Sequence, residues 1–239
     1  MNKKNIAIIF LGDFFFDARC INMARSLLLE NYLVTIICTY KNIINYKEFK
    51  NIRFHNISLH KKGVFRYVEF HNQVVHFLKN KVFDTIIAGD LYSLSSACSY
   101  KYKNINIIYD CREIYTELAV HYNKSLYKQF LYRYEKFFLK YVNIILTTAE
   151  TDEKLLKQKY AMFKHLIWRR IYNYPINYSE DKKIDLKKKL NIPTNHTTII
   201  YQGVIQKNRG IGQLIKLIAR SGDVTSIIVG DGEDKEYYI

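Results

Sequence analysis

The chain has 239 residues, of which 49% are hydrophobic and 15% aromatic, so it has enough apolar side chains for a core and is not intrinsically disordered. Its formal net charge of +15 favours anionic partners, such as nucleic acid, acidic lipid surfaces or phosphorylated substrates. No apolar segment reaches the roughly 18 residues of a membrane-spanning helix. The apolar run at 6–11 is shorter than a signal-peptide core, and we predict a buried first strand there.

Short apolar runs alternate with helical patterns as far as residue 160. Predicted strands cover 5–11, 33–38, 51–57, 83–89, 105–110 and 142–149. Predicted helices cover 17–31, 65–80, 125–141 and 150–160. Apolar strands that alternate with helices are typical of a parallel sheet covered on both faces. The sequence therefore predicts a doubly wound α/β domain over residues 1–172.

The alternation breaks near Pro175 and restarts after a lysine-rich segment. A polar linker is predicted at 173–180, followed by one basic helix over 181–190, whose lysines we interpret as a solvated face. A strand at 197–203, a helix at 209–220 and a strand at 225–232 come next. Two strands and two helices are too few to bury a parallel sheet, so a second domain over 181–239 is predicted to be incomplete.

The cysteines do not indicate a metal site. Cys20, Cys38, Cys98 and Cys111 lack C-x-x-C spacing, and no histidine lies at metal-ligand spacing from them. We interpret them as reduced thiols of a cytoplasmic protein, and we expect neither a metal nor a cofactor.

Residues at two strand ends in the first domain suggest a ligand site, because ligands of open α/β sheets bind outside the carboxyl ends of the strands. Gly12 follows the first strand, but the G-x-G-x-x-G pattern of NAD-binding proteins is absent. Asp110, Arg112 and Glu113 crowd the end of the fifth strand. A capped surface turn and a ligand-binding role fit this second group about equally well.

Arg209 is predicted at the start of a helix, six residues after Gly203 ends a strand. The free N–H groups and the dipole of a helix N-terminus favour an anion. A guanidinium there adds a permanent positive charge that suits a phosphate or diphosphate. Because a cation at this end of a helix is otherwise slightly unfavourable, we predict that Arg209 binds an anion.

The order and spacing of these motifs resemble those of the retaining, nucleotide-sugar-dependent glycosyltransferases of group 1, the family numbered four. That family has the GT-B fold, in which two Rossmann-like domains face each other across a cleft. Gly203, Arg209 and Gly210 match its strand, glycine and basic-residue pattern, and "IIVGDGE", which contains Gly230 and Gly232, matches its next strand and glycine turn. "IIYDCREIY" resembles its Asp-x-His-Glu-like segment, and "YNYP" resembles its interdomain junction.

The resemblance implies transfer of a sugar from a nucleotide-diphosphate sugar to a glycan or lipid-linked acceptor, with retention and without a metal. Arg209 and the helix behind it would stabilise the departing diphosphate, and Arg112 stands where many members have a histidine near the reaction centre. The predicted substrate- and donor-binding residues are Gly12, Asp17, Arg19, Asp110, Glu113, Gly203, Arg209, Gly210, Gly230 and Gly232. The implied role is bacterial surface polysaccharide synthesis in the cytoplasm, with peripheral contact to an anionic inner membrane face.

The chain also departs from the family pattern. Val204 follows Gly203 where many members have arginine, and Arg209 replaces a lysine. The acidic E-x₇-E-like segment that holds the donor's ribose and sugar would lie beyond residue 239, so we expect the 239-residue chain alone to transfer little sugar. Two alternatives stay open: an inactive glycosyltransferase remnant, and a basic α/β module that binds an anionic partner such as nucleic acid. No nucleic-acid-binding motif favours the second, and we expect no nucleic-acid partner.

Overall fold

The computed structural model describes residues 3–40, 49–100, 105–118, 125–174 and 184–238. The chain divides into two compact units, Met1–Ile176 and Asn177–Ile239. Most of the linker predicted at 173–180 lies outside the described residues, as does the beginning of the predicted basic helix. Among the described residues, no helix is long and apolar enough to cross a lipid bilayer.

The first unit contains one parallel sheet. Its strands are β1 (Asn5–Ile9), β2 (Leu33–Cys38), β3 (Ile52–Asn56), β4 (Thr85–Ala88), β5 (Asn106–Asp110), β6 (Ile144–Thr147) and β7 (Ile167–Arg170). Its helices are α1 (Ala18–Leu29), α2 (Val64–Leu78), α3 (Leu91–Cys98), α4 (Ser125–Leu139) and α5 (Glu150–Lys159). The strand order is β3-β2-β1-β4-β5-β6-β7, and every pair is parallel. The predicted doubly wound α/β fold is confirmed.

Two hydrophobic clusters lie on opposite faces of this sheet. Ile6 and Ile8 of β1 belong to the cluster that includes Cys20 and Ala24 of α1. Ala7 and Ile9 belong to the other cluster, to which α2, α3, α4 and α5 all contribute. Successive side chains of a strand point to opposite faces, so a strand buried on both sides needs an unbroken apolar run, as "NIAII" has.

Two elements of the first unit were not predicted from the sequence. The helix α3 is rich in serine, and Ser93, Ser95 and Ser96 are buried in it. The strand β7 has only four residues, two of which are arginines, and it lies at the edge of the sheet. The first unit also contains short 3-10 turns at Phe14–Phe16 and Tyr115–Glu117.

The second unit is built on a two-stranded parallel sheet. Its strands are β8 (Thr197–Gln202) and β9 (Val224–Val229), and its helices are α6 (Leu186–Lys189), α7 (Ile211–Ile218) and α8 (Lys235–Tyr238). The helix predicted over 181–190 is therefore wrong in its extent. The Asp185 side chain accepts a hydrogen bond from the Lys188 N–H at 3.1 Å, so it caps the helix and fixes its start at Leu186.

Candidate functional site

The carboxyl ends of two strands, β1 and β5, carry the predicted residues of the first unit. The sheet order places β4 between β1 and β5, and its direction of winding reverses at the β1–β4 pair. Asp17 and Arg19 follow β1, Asp110 ends β5, and Arg112 comes two residues later. In open α/β sheets this is the edge where ligands bind.

A buried ion pair between Arg19 and Asp110 forms the centre of this group. The Asp110 side chain is 0% exposed and that of Arg19 is 7% exposed. The Arg19 Nε donates to the two carboxylate oxygens at 3.0 and 2.8 Å, and its Nη2 donates to Oδ1 at 2.5 Å. Its Nη1 donates to the Ile171 carbonyl at 2.9 Å. The pair thus joins the start of α1, the end of β5 and the segment after β7.

Arg112 extends this ion-pair cluster towards the surface, where its side chain is 18% exposed. Its Nε donates to Asp110 Oδ2 at 3.2 Å, its Nη1 contacts Asp17 Oδ2, and its Nη2 lies 2.9 Å from the Cys20 sulfur. The guanidinium carbon lies 5.6 Å from the centroid of the Phe10 ring. Burial opposes the positive charge, but Cys20 and the two carboxylates raise the pKa of Arg112 overall. Arg112 is therefore a fixed cation, with three of its five N–H donors occupied.

Gly89 and Asp90, which sequence reasoning missed, hold the same edge together. The buried Asp90 carboxylate accepts from the Leu11 N–H at 2.6 Å and from the Ser93 N–H at 2.6 Å, so it connects the loop after β1 to α3. A Cβ atom on Gly89 would lie 3.2 Å from Arg112 Nη2, so glycine allows the guanidinium to approach β4. The sequence did contain a signal for Asp90. It follows the strand-ending Gly89 and precedes Ser93 by three residues, a spacing that is typical of a capped helix start.

Gly12 and Glu113 lie at the margin of the cluster. A Cβ atom on Gly12 would lie 3.0 Å from the Phe10 ring, the same ring that Arg112 contacts. The Gly12 carbonyl accepts from the Thr39 N–H at 3.0 Å. Glu113 is exposed, and its carboxylate forms no hydrogen bond or ion pair with any residue that the structure describes. The structure thus brings Asp17, Arg19, Asp110 and Arg112 together and leaves Glu113 outside.

In the second unit, Arg209 lies directly before the N-terminus of α7. Gly210 is the N-cap of this helix, with φ 82°, a left-handed conformation that favours glycine. Lys207, on the same loop, is held by Asp234: its N–H donates to Oδ2 at 2.8 Å, and its Nζ lies 3.7 Å from Oδ1. Arg209 is exposed and pairs with no carboxylate within the described ranges. Arg209 is therefore the cation of this loop that, among the described residues, has no carboxylate partner and is available to bind an anion.

Gly230 and Gly232, two of the predicted glycines of the second unit, pack against the backbone of the loop after β8. A Cβ atom on Gly230 would lie 1.9 Å from the Gly203 carbonyl oxygen, and one on Gly232 would lie 2.1 Å from that of Ile205. The Gly203 N–H donates to the Val229 carbonyl at 3.0 Å. These residues allow the loops after β8 and β9 to run side by side, and their contact with a donor stays a prediction.

No protein-family model and no curated protein matches the chain. Among solved structures, it is similar to sucrose-phosphate synthase from Thermosynechococcus elongatus, with 15% identity, a TM-score of 0.73, and coverage of 98% of this chain and 64% of that one. It is also similar to Anabaena Alr3699/HepE in complex with UDP and glucose (15% identity, TM-score 0.67, 97% and 63% covered). WaaG, a glycosyltransferase of lipopolysaccharide biosynthesis, has 13% identity and a TM-score of 0.67, with 97% and 65% covered.

The chain therefore spans less than two thirds of the length of each of these three structures. At such identities the likeness concerns the fold, and it extends over almost the whole of this chain. The chain has the α/β, GT-B-like fold of glycosyltransferases.

Proposed function

We propose that this chain belongs to a glycosyltransferase that moves a sugar from a nucleotide-diphosphate sugar to a glycan or lipid-linked acceptor, with retention at the anomeric carbon. The observation that carries the proposal is the exposed, uncommitted guanidinium of Arg209 ahead of α7. The glycosyltransferase-like fold supports it, as does the complex of the similar HepE with UDP and glucose.

The diphosphate gains negative charge as its bond to the sugar breaks, so the enzyme has to supply positive potential at that oxygen. Arg209 provides a permanent charge. The first helical hydrogen bond of α7 runs from the Leu214 N–H to the Gly210 carbonyl at 2.9 Å, so the N–H groups of the preceding turn are not used within the helix. These N–H groups and the helix dipole favour the same anion, and Gly210, where a Cβ atom would meet nothing within 4 Å, would allow it to approach the backbone closely.

The acceptor side of the proposed reaction is the edge of the first unit that carries Arg112. Asp17 and Asp110 hold this guanidinium in one orientation, and two of its N–H donors are left for a hydroxyl or phosphate oxygen. The similarity to WaaG supports a role in bacterial surface polysaccharide synthesis. In this proposal the protein works in the cytoplasm, at the inner face of the membrane.

A titration of UDP into the whole chain by calorimetry tests the donor site separately from transfer. We expect UDP to bind, and we expect Arg209→Ala to weaken binding about tenfold or more, because a charge-assisted hydrogen bond contributes about 1.5–3 kcal/mol. Arg220→Ala is the matched control, since it removes the same exposed charge beyond the other end of α7. In an active full-length enzyme, Arg209→Ala should lower turnover about 100-fold or more.

Two results would overturn this proposal. One is the absence of UDP binding to the unmodified chain. The other is equal weakening by Arg209→Ala and Arg220→Ala, which would indicate a general effect of positive charge and no specific diphosphate contact.

A further inference from the structure

A groove of about 370 Å³ lies between α2, α3 and α4 in the first unit, apart from the ion-pair cluster. We call it the aromatic groove, and its walls include Tyr67, Val68, Tyr92, Tyr127, Phe130 and Tyr134. The rings of Tyr67 and Tyr92 are stacked, with their centroids 4.5 Å apart. Its size is within the range of small-molecule sites, and the proposed donor chemistry does not use it.

Two polar side chains of the groove, His71 and Ser95, are paired with each other, and the rest of the lining is aromatic or aliphatic. The His71 Nδ1 lies 3.0 Å from the Ser95 hydroxyl and 3.3 Å from the Ser96 hydroxyl. Burial lowers the pKa of His71, which keeps the imidazole neutral. A ligand in the groove would therefore meet mainly aromatic rings and hydrocarbon.

The apolar surface does not end at the mouth of the groove. Val64 and Phe130 line it and are 73% and 60% exposed, and the adjacent Phe65 is 69% exposed. Large exposed apolar side chains that adjoin a groove are typical of a binding site. A small aromatic molecule would be covered within the groove and would leave these side chains unused, whereas a longer hydrocarbon chain would cover them.

The segment that leads into α2, directly before Val64 of the groove, is positively charged. All six residues of "KKGVFR" (61–66) are exposed, so cations and large apolar side chains share one segment. Two acids near this segment in the fold have partners: the Glu69 carboxylate accepts from the N–H groups of His60 and Lys61, and Glu117 lies 3.5 Å from Lys128 Nζ. Charge and apolarity together fit an anionic amphiphile.

The groove opens at the edge of the sheet that carries Arg112. α2, α3 and α4 each follow a parallel strand, so their N-termini lie at the carboxyl ends of the strands. Leu91, which lines the groove, directly follows Asp90, and the ring of Tyr92 lies 5.8 Å from that of Tyr115, three residues after Arg112.

We propose that the aromatic groove binds the hydrocarbon chain of a lipid phosphate that carries the acceptor sugar, with Lys61 and Lys62, which directly precede α2, beside the phosphate. This inference rests on the proposed function, because it assigns the chain to the acceptor. The proposed ligand is a single lipid molecule held in the groove, and the groove is not proposed to dock on the surface of a bilayer.

Farnesyl phosphate, a soluble isoprenoid phosphate, is the probe, titrated into the whole chain by calorimetry with inorganic phosphate as the head-group control. We expect farnesyl phosphate to bind and inorganic phosphate not to bind detectably. Val68→Glu and Phe130→Glu, at exposed positions that line the groove, should each weaken binding tenfold or more. Phe137→Glu is the matched control: Phe137 is 54% exposed on the same helix but does not line the groove, and its replacement should leave binding unchanged.

Absence of farnesyl phosphate binding, or equal affinity in Val68→Glu, Phe130→Glu and the parent, would overturn the proposal. The proposal would also be overturned if all three glutamate variants lost sedimentation with vesicles of phosphatidylglycerol and phosphatidylcholine equally and still bound farnesyl phosphate. That result would indicate a surface that faces a bilayer. UDP titration of the same samples separates the two proposals. Groove-dependent farnesyl phosphate binding without UDP binding would remove the donor function and leave the lipid-phosphate groove.

Discussion

The two units cover their parallel strands to very different extents. In the first unit, Ile8, Ile36 and Ile86 of three central strands are 0% exposed, because helices pack on the sheet. In the second unit, the buried residues among 184–238 are Ile205 and Ile211, while Ile200 of β8 and Val229 of β9 are 52% and 49% exposed. Full burial of such a side chain contributes about 1.5–3 kcal/mol. The same strand–helix pattern therefore gives a stable core only where further strands and helices cover the sheet.

The candidate sites differ in the same way. In the first unit, charged side chains hold one another in a buried cluster, so Arg112 has a fixed orientation. In the second unit, glycine backbones pack closely, and Arg209 has no partner in the described part of the chain. The comparison indicates a preorganised site on a rigid sheet in one unit and a loop-borne site in the other.

The largest effect should come from Asp110→Ala, which leaves Arg19 and Arg112 without their shared buried carboxylate. Removing one partner of a buried pair costs about 3–5 kcal/mol of stability. Urea unfolding followed by the fluorescence of Trp168, the only tryptophan in the sequence, reports on the first unit.

Glu150→Ala is the control for this variant, since the exposed Glu150 forms ion pairs with Lys154 and Arg170 at the surface, and their loss should change stability little. Similar unfolding midpoints for Asp110→Ala and Glu150→Ala would contradict the central role of the cluster.

A smaller effect is expected from Gly230→Ala, confined to the second unit. The new Cβ atom would lie 1.9 Å from the Gly203 carbonyl oxygen, and relieving such overpacking costs about 1–3 kcal/mol. Hydrogen exchange of β8 and β9 should accelerate, while the Trp168 unfolding transition stays unchanged. Gly222→Ala, where a Cβ atom would meet nothing within 4 Å, should leave both unaltered. A shifted Trp168 transition would show that the units are not energetically separate.

The smallest effect is a pH dependence of the first unit through His71. Burial lowers the folded-state pKa of His71 below the unfolded value of about 6.5, so the unfolded chain takes up the proton more readily. Stability should therefore fall as pH drops below about 6.5, until the folded-state pKa is passed. His55, whose pKa is lowered by burial and Lys81, contributes in the same direction. Urea midpoints at about pH 5 and pH 7.5 should accordingly differ less in His71→Gln than in the parent, and equal differences would exclude the role of His71.

Most of the first unit could be predicted from the sequence because its strands are unbroken apolar runs. The strand β7 was not predicted because an edge strand buries less apolar surface, and its sequence "IWRR" has no apolar run. The helix α3 was not predicted because serines normally indicate a loop, whereas those of α3 are buried within the helix. In both cases tertiary contacts, and not local pattern, determine the element.

The sequence indicated four residues of the ion-pair cluster but not Gly89 or Asp90, and it did not indicate how the residues are connected. Asp17, Arg19, Asp110 and Arg112 could be selected because they follow predicted strands. The bond from Arg19 to Asp110 joins residues 91 positions apart, and no local pattern specifies it. The packing of Gly230 against Gly203 likewise depends on the pairing of β8 with β9.

The hydrogen bond from Arg19 to the Ile171 carbonyl, across 152 residues, also bears on synthesis of the chain. At the usual 5–20 residues per second, roughly 8–30 s pass between translation of these two residues. During that interval the nascent chain contains Arg19 without its carbonyl partner, and β7 is absent from the edge of the sheet. The first unit therefore completes its fold late, and once β6 has been translated its edge has no partner strand until β7 follows, roughly 20 residues and 1–4 s later.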